Sequence, residues 1–175
     1  MRHLRWVAPL LGGLVVGGLG GCGPSFPPSA PHALLGQAPA PQSSMTLDGT
    51  MVRLPQAGHV TVIDVWATWC APCLAMMPAL EQLHEQMQSQ GVRVVGVAAD
   101  DNPGLVQQVA RERGVRYPTI VDASGEVRGW LRGNVLPLVL VFDRQGRLRW
   151  VQRGEEEPTI GQLRRAVEAL VAEGG

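Results

Sequence analysis

The sequence predicts an α/β fold with a central mixed β-sheet flanked by helices. Residues 60–66 form a run rich in β-branched and aromatic side chains, and apolar residues then recur at helical spacings of three and four. A second apolar run follows at residues 92–99, so strand, helix and strand predict a right-handed parallel βαβ unit. Two later apolar runs, residues 136–143 and 147–152, flank a turn at Gly146 and predict an antiparallel hairpin. The 175 residues are enough for one well-buried core.

The N-terminus has the features of an export signal. A short basic segment precedes an apolar run at residues 6–19, which is too short to predict a membrane-spanning helix. Residues 19–22 read Leu-Gly-Gly-Cys and resemble the bacterial lipobox, where processing leaves Cys22 as a lipid-modified N-terminus. The alternative is an ordinary signal peptide followed by an unmodified cysteine. We therefore predict that residues 1–21 are a lipoprotein signal peptide.

The segment after Cys22 differs in composition from the rest of the chain. Residues 22–44 are rich in Pro, Ser, Ala and Gly and show no periodic apolar pattern. Such a composition predicts a tether, partly extended by its prolines at roughly 3 Å per residue, that would hold the protein some tens of ångströms from a bilayer. The folded domain is then expected to comprise residues 45–175.

Turn and capping signals predict the remaining elements in chain order. Asp48-Gly49 marks the turn of a hairpin, and Gly91 ends the helix that follows Cys73. Residues 100–103, Asp-Asp-Asn-Pro, are expected to cap another helix with acidic groups at its N-terminus. The predicted elements are a hairpin at 45–54, a helix at 104–113, a strand at 117–122, a short helix at 124–131 and an amphipathic helix at 158–172.

Cys70 and Cys73 lie where the first strand gives way to its helix. Backbone N–H groups and the helix dipole stabilise a thiolate there, so we expect Cys70 to attack, with a pKa below ~8.5. Cys73, one turn further along, is expected to be more buried and to close the disulfide. Ala71 and Pro72 add no charge between the cysteines, which favours a reductase over a strongly oxidising protein. A purely structural disulfide is the alternative interpretation.

Residues 62–73, Val-Ile-Asp-Val-Trp-Ala-Thr-Trp-Cys-Ala-Pro-Cys, resemble the active-site strand and turn of thioredoxin-like proteins. Pro78 matches the proline that kinks the helix of that family. Together with the export signal, the chain is most similar to the TlpA/ResA type, the membrane-anchored thiol–disulfide oxidoreductases of bacteria. The resemblance covers roughly residues 45–172. It implies a thioredoxin fold with an added N-terminal β-hairpin and a βα insertion before the cis-proline strand.

The same resemblance implies roles for individual residues. Asp64 matches the buried aspartate that handles the proton of the resolving cysteine, for which a raised pKa would be suitable; the alternative is an edge position with access to water. Pro137 matches the cis-proline that faces the cysteines, with Pro118 as a rival. ResA-type proteins place a carboxylate just after the second cysteine, where this chain has Met76. The expected residues of the active-site turn and rim are Trp69, Ala71, Pro72 and Leu136.

By resemblance, we expect an extracytoplasmic enzyme that reduces disulfides in exported proteins. Apocytochrome c is one candidate client, and a membrane thiol donor would supply the electrons. We expect a monomer without cofactor or metal, and the formal net charge of zero gives no reason to expect nucleic acid. One alternative is a peroxiredoxin-type thiol peroxidase, although Thr68 lies two residues before Cys70 rather than the three that such a site needs. A metal chaperone or redox sensor is the other, although no histidine has ligand spacing with the cysteines.

Overall fold

The computed structural model of the chain describes residues 26–154 and 160–174. The predicted signal peptide, Cys22 and the expected helix start at Pro158 lie outside these described residues. A 3-10 turn, Gln88–Gln90, continues the first helix to Gly91, as expected. In chain order, the elements are β1 (Gln42–Met45), β2 (Met51–Leu54), β3 (Val60–Trp66), α1 (Ala71–Met87), β4 (Val92–Ala98), α2 (Pro103–Glu112), β5 (Thr119–Val121), α3 (Glu126–Trp130), β6 (Leu138–Phe142), β7 (Leu148–Arg153) and α4 (Ile160–Glu173).

Five strands form the central sheet in the order β5-β4-β3-β6-β7. β3 lies in the middle, parallel to β4 and antiparallel to β6. The predicted βαβ unit and C-terminal hairpin are therefore both present, and the prediction of a mixed α/β sheet is confirmed. β5 joins the sheet beside β4 and is followed by α3, so a βα unit precedes β6, as expected.

The two faces of the sheet bury different sets of side chains. Even-numbered residues of β3, among them Val62 and Trp66, pack in one apolar cluster with Cys73 and with residues of α1, α2 and α4. Odd-numbered residues such as Ile63 and Val65 pack in a second cluster with β2 and α3. The alternation follows from the period of two in a strand. Each buried aliphatic side chain of this size contributes about 1.5–3 kcal/mol to folding.

The predicted N-terminal hairpin is formed by β1 and β2, which pair antiparallel from Gln42 to Leu54. Its turn contains Gly49, at a φ of 82°, a left-handed conformation that suits the Asp-Gly turn predicted there. A bridge between Thr46 and Ile120 joins the hairpin to β5. The hairpin therefore extends the structure on the β5 side of the sheet.

Residues 26–41, which we call the N-terminal strap, lie along the outer edge of β7. The Ala30 amide donates to the Val151 carbonyl at 2.9 Å, and the Gly36 amide donates to the Leu148 carbonyl at 2.8 Å. These bonds satisfy backbone groups that an edge strand would otherwise leave open. The strap thus covers one edge of the central sheet.

Side chains also hold the strap in place. The Trp150 indole N–H donates to the Pro28 carbonyl at 2.8 Å, and the Trp130 indole N–H donates to the Ala40 carbonyl at 3.0 Å. The Phe26 ring packs against the first apolar cluster, and the carbon at the centre of the Arg149 guanidinium lies 5.5 Å from its centroid. The strap is therefore part of the domain.

These contacts correct the predicted domain boundary. The prediction of an unpacked tether at residues 22–44, with the domain starting at residue 45, is wrong for residues 26–44. A strap that pairs through its backbone with an edge strand requires no apolar periodicity, so composition alone did not reveal it. Within the described residues, no helix combines the length and hydropathy needed to cross a bilayer.

Candidate active site

The disulfide lies at the junction of β3 and α1. β3 ends at Trp66 in the middle of the sheet, and a short turn leads to Cys70, the N-cap residue of α1. The turn is closed by the Cys70 amide, which donates to the Ala67 carbonyl at 3.0 Å. Cys70 and Cys73 are joined by a disulfide, with their Cα atoms 5.3 Å apart. The predicted pair is therefore one helical turn apart at the end of a buried strand.

The helix N-terminus acts directly on the Cys70 sulfur. The Cys73 backbone N–H donates to Cys70 Sγ at 3.3 Å, in the manner of an N-cap. When the disulfide opens, the same N–H and the helix dipole would stabilise a thiolate at this position. Ala71 and Pro72 occupy the first two helical positions, where the missing N–H of proline has no helical partner to lose. The local sequence thus favours a charged sulfur at Cys70.

The two cysteine residues differ in their exposure. Cys70 is 5% exposed and Cys73 is 1% exposed, so Cys70 is the more accessible of the two, as predicted. The Trp69 side chain beside it is 73% exposed, although large apolar side chains are usually buried. An incoming disulfide therefore meets an indole first and then Cys70, whereas Cys73 lies behind it in the core.

Pro137 lies at the same end of the sheet. The Leu136–Pro137 peptide bond is cis, whereas among the described residues the only other cis bond precedes Pro55. Pro118, the rival, is not preceded by a cis bond. Leu138, the next residue, pairs with Val65 at the carboxyl end of β3. The half-buried Leu136 side chain packs against the core clusters, which leaves part of it at the surface near the site.

Asp64 lies in the central strand and not at an edge, which excludes the alternative of an edge position open to water. Its side chain is 1% exposed and, by strand alternation, lies on the face where Cys73 packs beneath α1. The Tyr117 hydroxyl donates to Asp64 Oδ2 at 2.9 Å. Burial raises the pKa of Asp64 to about 7, and the Tyr117 hydrogen bond opposes that rise. A carboxyl with this pKa can both accept and release a proton near neutral pH.

Asp100 is a site residue that sequence reasoning assigned to a different task. It was expected to cap α2, but Asn102 caps that helix by accepting from the Leu105 amide. Asp100 instead accepts from the Thr68 amide at 3.0 Å and from the Thr68 hydroxyl at 2.7 Å. The carboxylate thereby fixes the turn two residues before Cys70. The acidic residues after β4 are visible in the sequence, but the partner of Asp100 lies 32 positions away, in the turn that follows β3.

One of these contacts bears on the alternative of a thiol peroxidase. The Thr68 hydroxyl, which a peroxidase site would use, is bound to Asp100 instead. Among residues 26–154 and 160–174, no three His, Cys, Asp or Glu side chains are gathered into a group that could hold a metal ion. What the arrangement offers is one dithiol–disulfide pair, with a nucleophile position at a helix N-terminus, a buried resolving sulfur and a buried carboxyl on the same side of the sheet.

Comparison with known proteins agrees with this site. The chain matches the Redoxin family over residues 35–170. It is 29% identical over 114 residues to the thiol-disulfide oxidoreductase ResA of Oceanobacillus iheyensis, covering 65% of this chain and 59% of that protein. It is 26% identical over 111 residues to ResA of Bacillus thuringiensis subsp. konkukian, covering 63% and 64%. The aligned part therefore spans less than two thirds of the length of these two relatives.

Solved structures show the same architecture. A secreted thiol-disulfide isomerase from Corynebacterium glutamicum has a TM-score of 0.68 at 28% identity, covering 78% of this chain and 86% of that chain. StoA from Bacillus subtilis has a TM-score of 0.64 at 22% identity, covering 73% and 96%, a likeness that concerns the fold alone. These matches confirm the predicted thioredoxin fold and the ResA-type resemblance, and the chain belongs to the Redoxin family.

Proposed function

We propose that this protein is an extracytoplasmic thiol–disulfide oxidoreductase that reduces disulfides in exported proteins. The observation that carries the proposal is the Cys70–Cys73 disulfide at the N-terminus of α1, where the Cys73 amide binds Cys70 Sγ. A disulfide that merely braced the fold would not need a helix N-terminus. The name of the ResA relatives, thiol-disulfide oxidoreductase, supports the chemistry, and the description of the Corynebacterium glutamicum protein as secreted supports the location.

The reaction proceeds by two thiol–disulfide exchanges. In the reduced protein, the Cys70 thiolate attacks one sulfur of the client disulfide, so a mixed disulfide forms and the other client sulfur leaves as a thiolate. The Cys73 thiol then gives its proton to the Asp64 carboxylate and attacks Cys70 Sγ. The second client thiolate is released, and the Cys70–Cys73 bond closes. Two electrons have passed to the client, and Asp64 returns its proton to solvent or to the departing thiolate.

We predict a reduction potential well below about −200 mV for the Cys70–Cys73 pair, toward the thioredoxin end of the known range. The residues between the cysteines are uncharged, so the reduced form lacks the extra stabilisation of its thiolate that makes a protein a strong oxidant. Equilibration with dithiothreitol or glutathione, followed by thiol trapping, measures this value. A potential near −120 mV would identify a disulfide donor and reverse the proposed direction.

The clients and the reductant belong to the same proposal. The exposed Trp69 indole and the half-buried Leu136 side chain provide an apolar surface beside Cys70, which suits an unfolded exported chain such as apocytochrome c. Because the oxidised pair must be reduced again outside the cytoplasm, we propose a membrane thiol donor as partner. The protein would act on both as a monomer.

We also propose that a lipid on Cys22 anchors the protein. Phe26 contacts the folded domain, and the four residues from Cys22 to Phe26 can span at most about 14 Å. Phe26 lies against Arg149 near the start of β7, which runs parallel to β3, and Cys70 follows the other end of β3. A lipid at Cys22 would thus hold the domain close to the bilayer, with the disulfide at the far end of the sheet.

We predict that radiolabelled palmitate is incorporated into the wild-type protein and not into Cys22→Ala. The physical reason is that only this cysteine follows the lipobox-like residues, whereas the other two are buried in the fold. Cys70→Ser is the matched control, because it also removes one cysteine and should remain labelled. A mature N-terminus at another residue would show an ordinary signal peptide instead.

A further inference from the structure

Tyr117 is a buried residue that the thioredoxin resemblance leaves without a role. Its side chain is 2% exposed, and its hydroxyl donates to Asp64 Oδ2 at 2.9 Å. Tyr117 precedes β5, whereas Asp64 lies two strands away on β3. The tyrosine ring must therefore cross β4 to reach the carboxyl.

The crossing occurs at Gly96, the residue of β4 that pairs with Asp64. A Cβ at this position would lie 3.2 Å from Tyr117 Cε2, 3.1 Å from Trp66 Nε1 and 2.9 Å from Thr119 Oγ1. The side chains around Gly96 thus occupy the space that a larger residue would need. Because Gly96 has no side chain, the Tyr117 ring can pass over β4 at this position and bring its hydroxyl to Asp64.

The backbone of Tyr117 is fixed by Glu81 of α1. Its amide donates to Glu81 Oε2 at 3.2 Å, and the Arg116 amide donates to the same oxygen at 2.7 Å. Glu81 is 6% exposed and also pairs with the Arg116 side chain at 3.2 Å. The position of the hydroxyl is therefore determined by contacts with both α1 and β4.

Among the described residues, the Tyr117 hydroxyl is the one group that forms a hydrogen bond with the Asp64 side chain. The titratable groups nearby are neutral or paired with other residues. From α1, His84 meets the Tyr117 ring edge-on with centroids 6.3 Å apart, and burial lowers the pKa of His84, which keeps it neutral at pH 7. The Glu81 carboxylate of α1 accepts from the Arg116 amide and forms an ion pair with the Arg116 guanidinium. That guanidinium also pairs with Glu85 on the surface. β4 presents Gly96 and β6 presents Val139 opposite Asp64, and neither carries charge.

We propose that Tyr117 is the positioning residue for Asp64, holding its carboxylate ready to take the proton of Cys73 during the resolving step. This inference rests on the proposed role of Asp64. The hydroxyl stabilises the ionised carboxyl and not the protonated one, because it donates its hydrogen. Burial and the adjacent Asp64 charge raise the pKa of Tyr117 well above its ordinary value of 10.0, so the hydroxyl remains a donor throughout the neutral range.

The test is Tyr117→Phe, which removes the hydroxyl and leaves the ring over Gly96. A hydrogen bond to a charged group of this kind corresponds to roughly a tenfold change in proton affinity, so the pKa of Asp64 should rise by about one unit. Carboxyl-carbon NMR of the oxidised protein measures that pKa directly. The rate at which Cys73 releases a client from the mixed disulfide should then be about tenfold lower at pH 6, with its pH profile displaced upward by about one unit.

Thr61→Val is the matched control, because it also removes a buried hydroxyl. The Thr61 hydroxyl lies on β3 and accepts from the Gln56 amide at 3.0 Å, and it does not contact Asp64 among the described hydrogen bonds. It should leave both the Asp64 titration and the pH profile of the rate unchanged. An unchanged Asp64 pKa in Tyr117→Phe would overturn the inference. If Asp64→Asn leaves the pH profile of the rate unaltered, the proposed proton role of Asp64 is wrong, and the role of Tyr117 is overturned with it. A displaced titration together with an equally displaced rate profile supports both.

Discussion

Replacing Cys70 with serine is expected to abolish disulfide reduction completely. A serine hydroxyl at the helix N-cap accepts the Cys73 amide as well as sulfur does, so α1 and its packing should survive. The hydroxyl, however, has no thiolate form at neutral pH and cannot form a mixed disulfide. Turnover of an insulin-type disulfide substrate with dithiothreitol as reductant should fall to the uncatalysed rate.

Cys73→Ser separates attack from resolution. Cys73 is 1% exposed and lies behind Cys70, so its loss should leave the first exchange intact and block the second. The variant should accumulate a stable mixed disulfide through Cys70, visible as a mass adduct that dithiothreitol removes. Two results with Cys70→Ser would contradict the assignment of Cys70 as the nucleophile. One is retained turnover, and the other is a mixed disulfide formed through Cys73.

Local sequence signals sufficed for the part of the fold that bears the disulfide. The β-branched run of β3, the cysteine at its end and the helical spacing after it are contiguous in the chain, so periodicity and capping describe them well. The observed bounds of α1 and β4 agree with the predicted ones to within a few residues. Turn and capping signals also predicted the two hairpins and the later helices, whereas the assembly of these elements into a thioredoxin fold followed from the family resemblance.

The contacts that the sequence did not reveal join residues far apart in the chain. Tyr117 meets Asp64 across 53 positions, and Asp100 meets Thr68 across 32. Neither hydrophobic periodicity nor a capping motif predicts such a contact, because the contact depends on which strands lie side by side in the folded sheet. The strap was missed for a related reason: it binds the β7 edge through backbone groups that every residue carries.

We expect Asp64→Asn to change how the stability of the oxidised protein depends on pH. The pKa of Asp64 is raised by burial from 3.8 to about 7, so the folded state binds this proton more tightly than the unfolded state. The stability contribution is therefore fully present below pH 3.8 and is lost as pH rises through about 7. The loss for wild type amounts to roughly a few kcal/mol, whereas the asparagine variant cannot ionise and should not show it.

Guanidinium unfolding at pH 5 and pH 8 measures this effect as the difference in unfolding free energy between wild type and Asp64→Asn. From pH 5 to pH 8, wild type should lose roughly 2 kcal/mol or more of unfolding free energy relative to Asp64→Asn, since most of the titration of Asp64 lies between these pH values. Asp101→Asn is the control, because it removes the same formal charge from an exposed position. A difference that is constant with pH would show that Asp64 is already ionised in the folded protein at pH 5. The carboxyl could then not exchange a proton with Cys73 near neutral pH, and the resolving step would need another base.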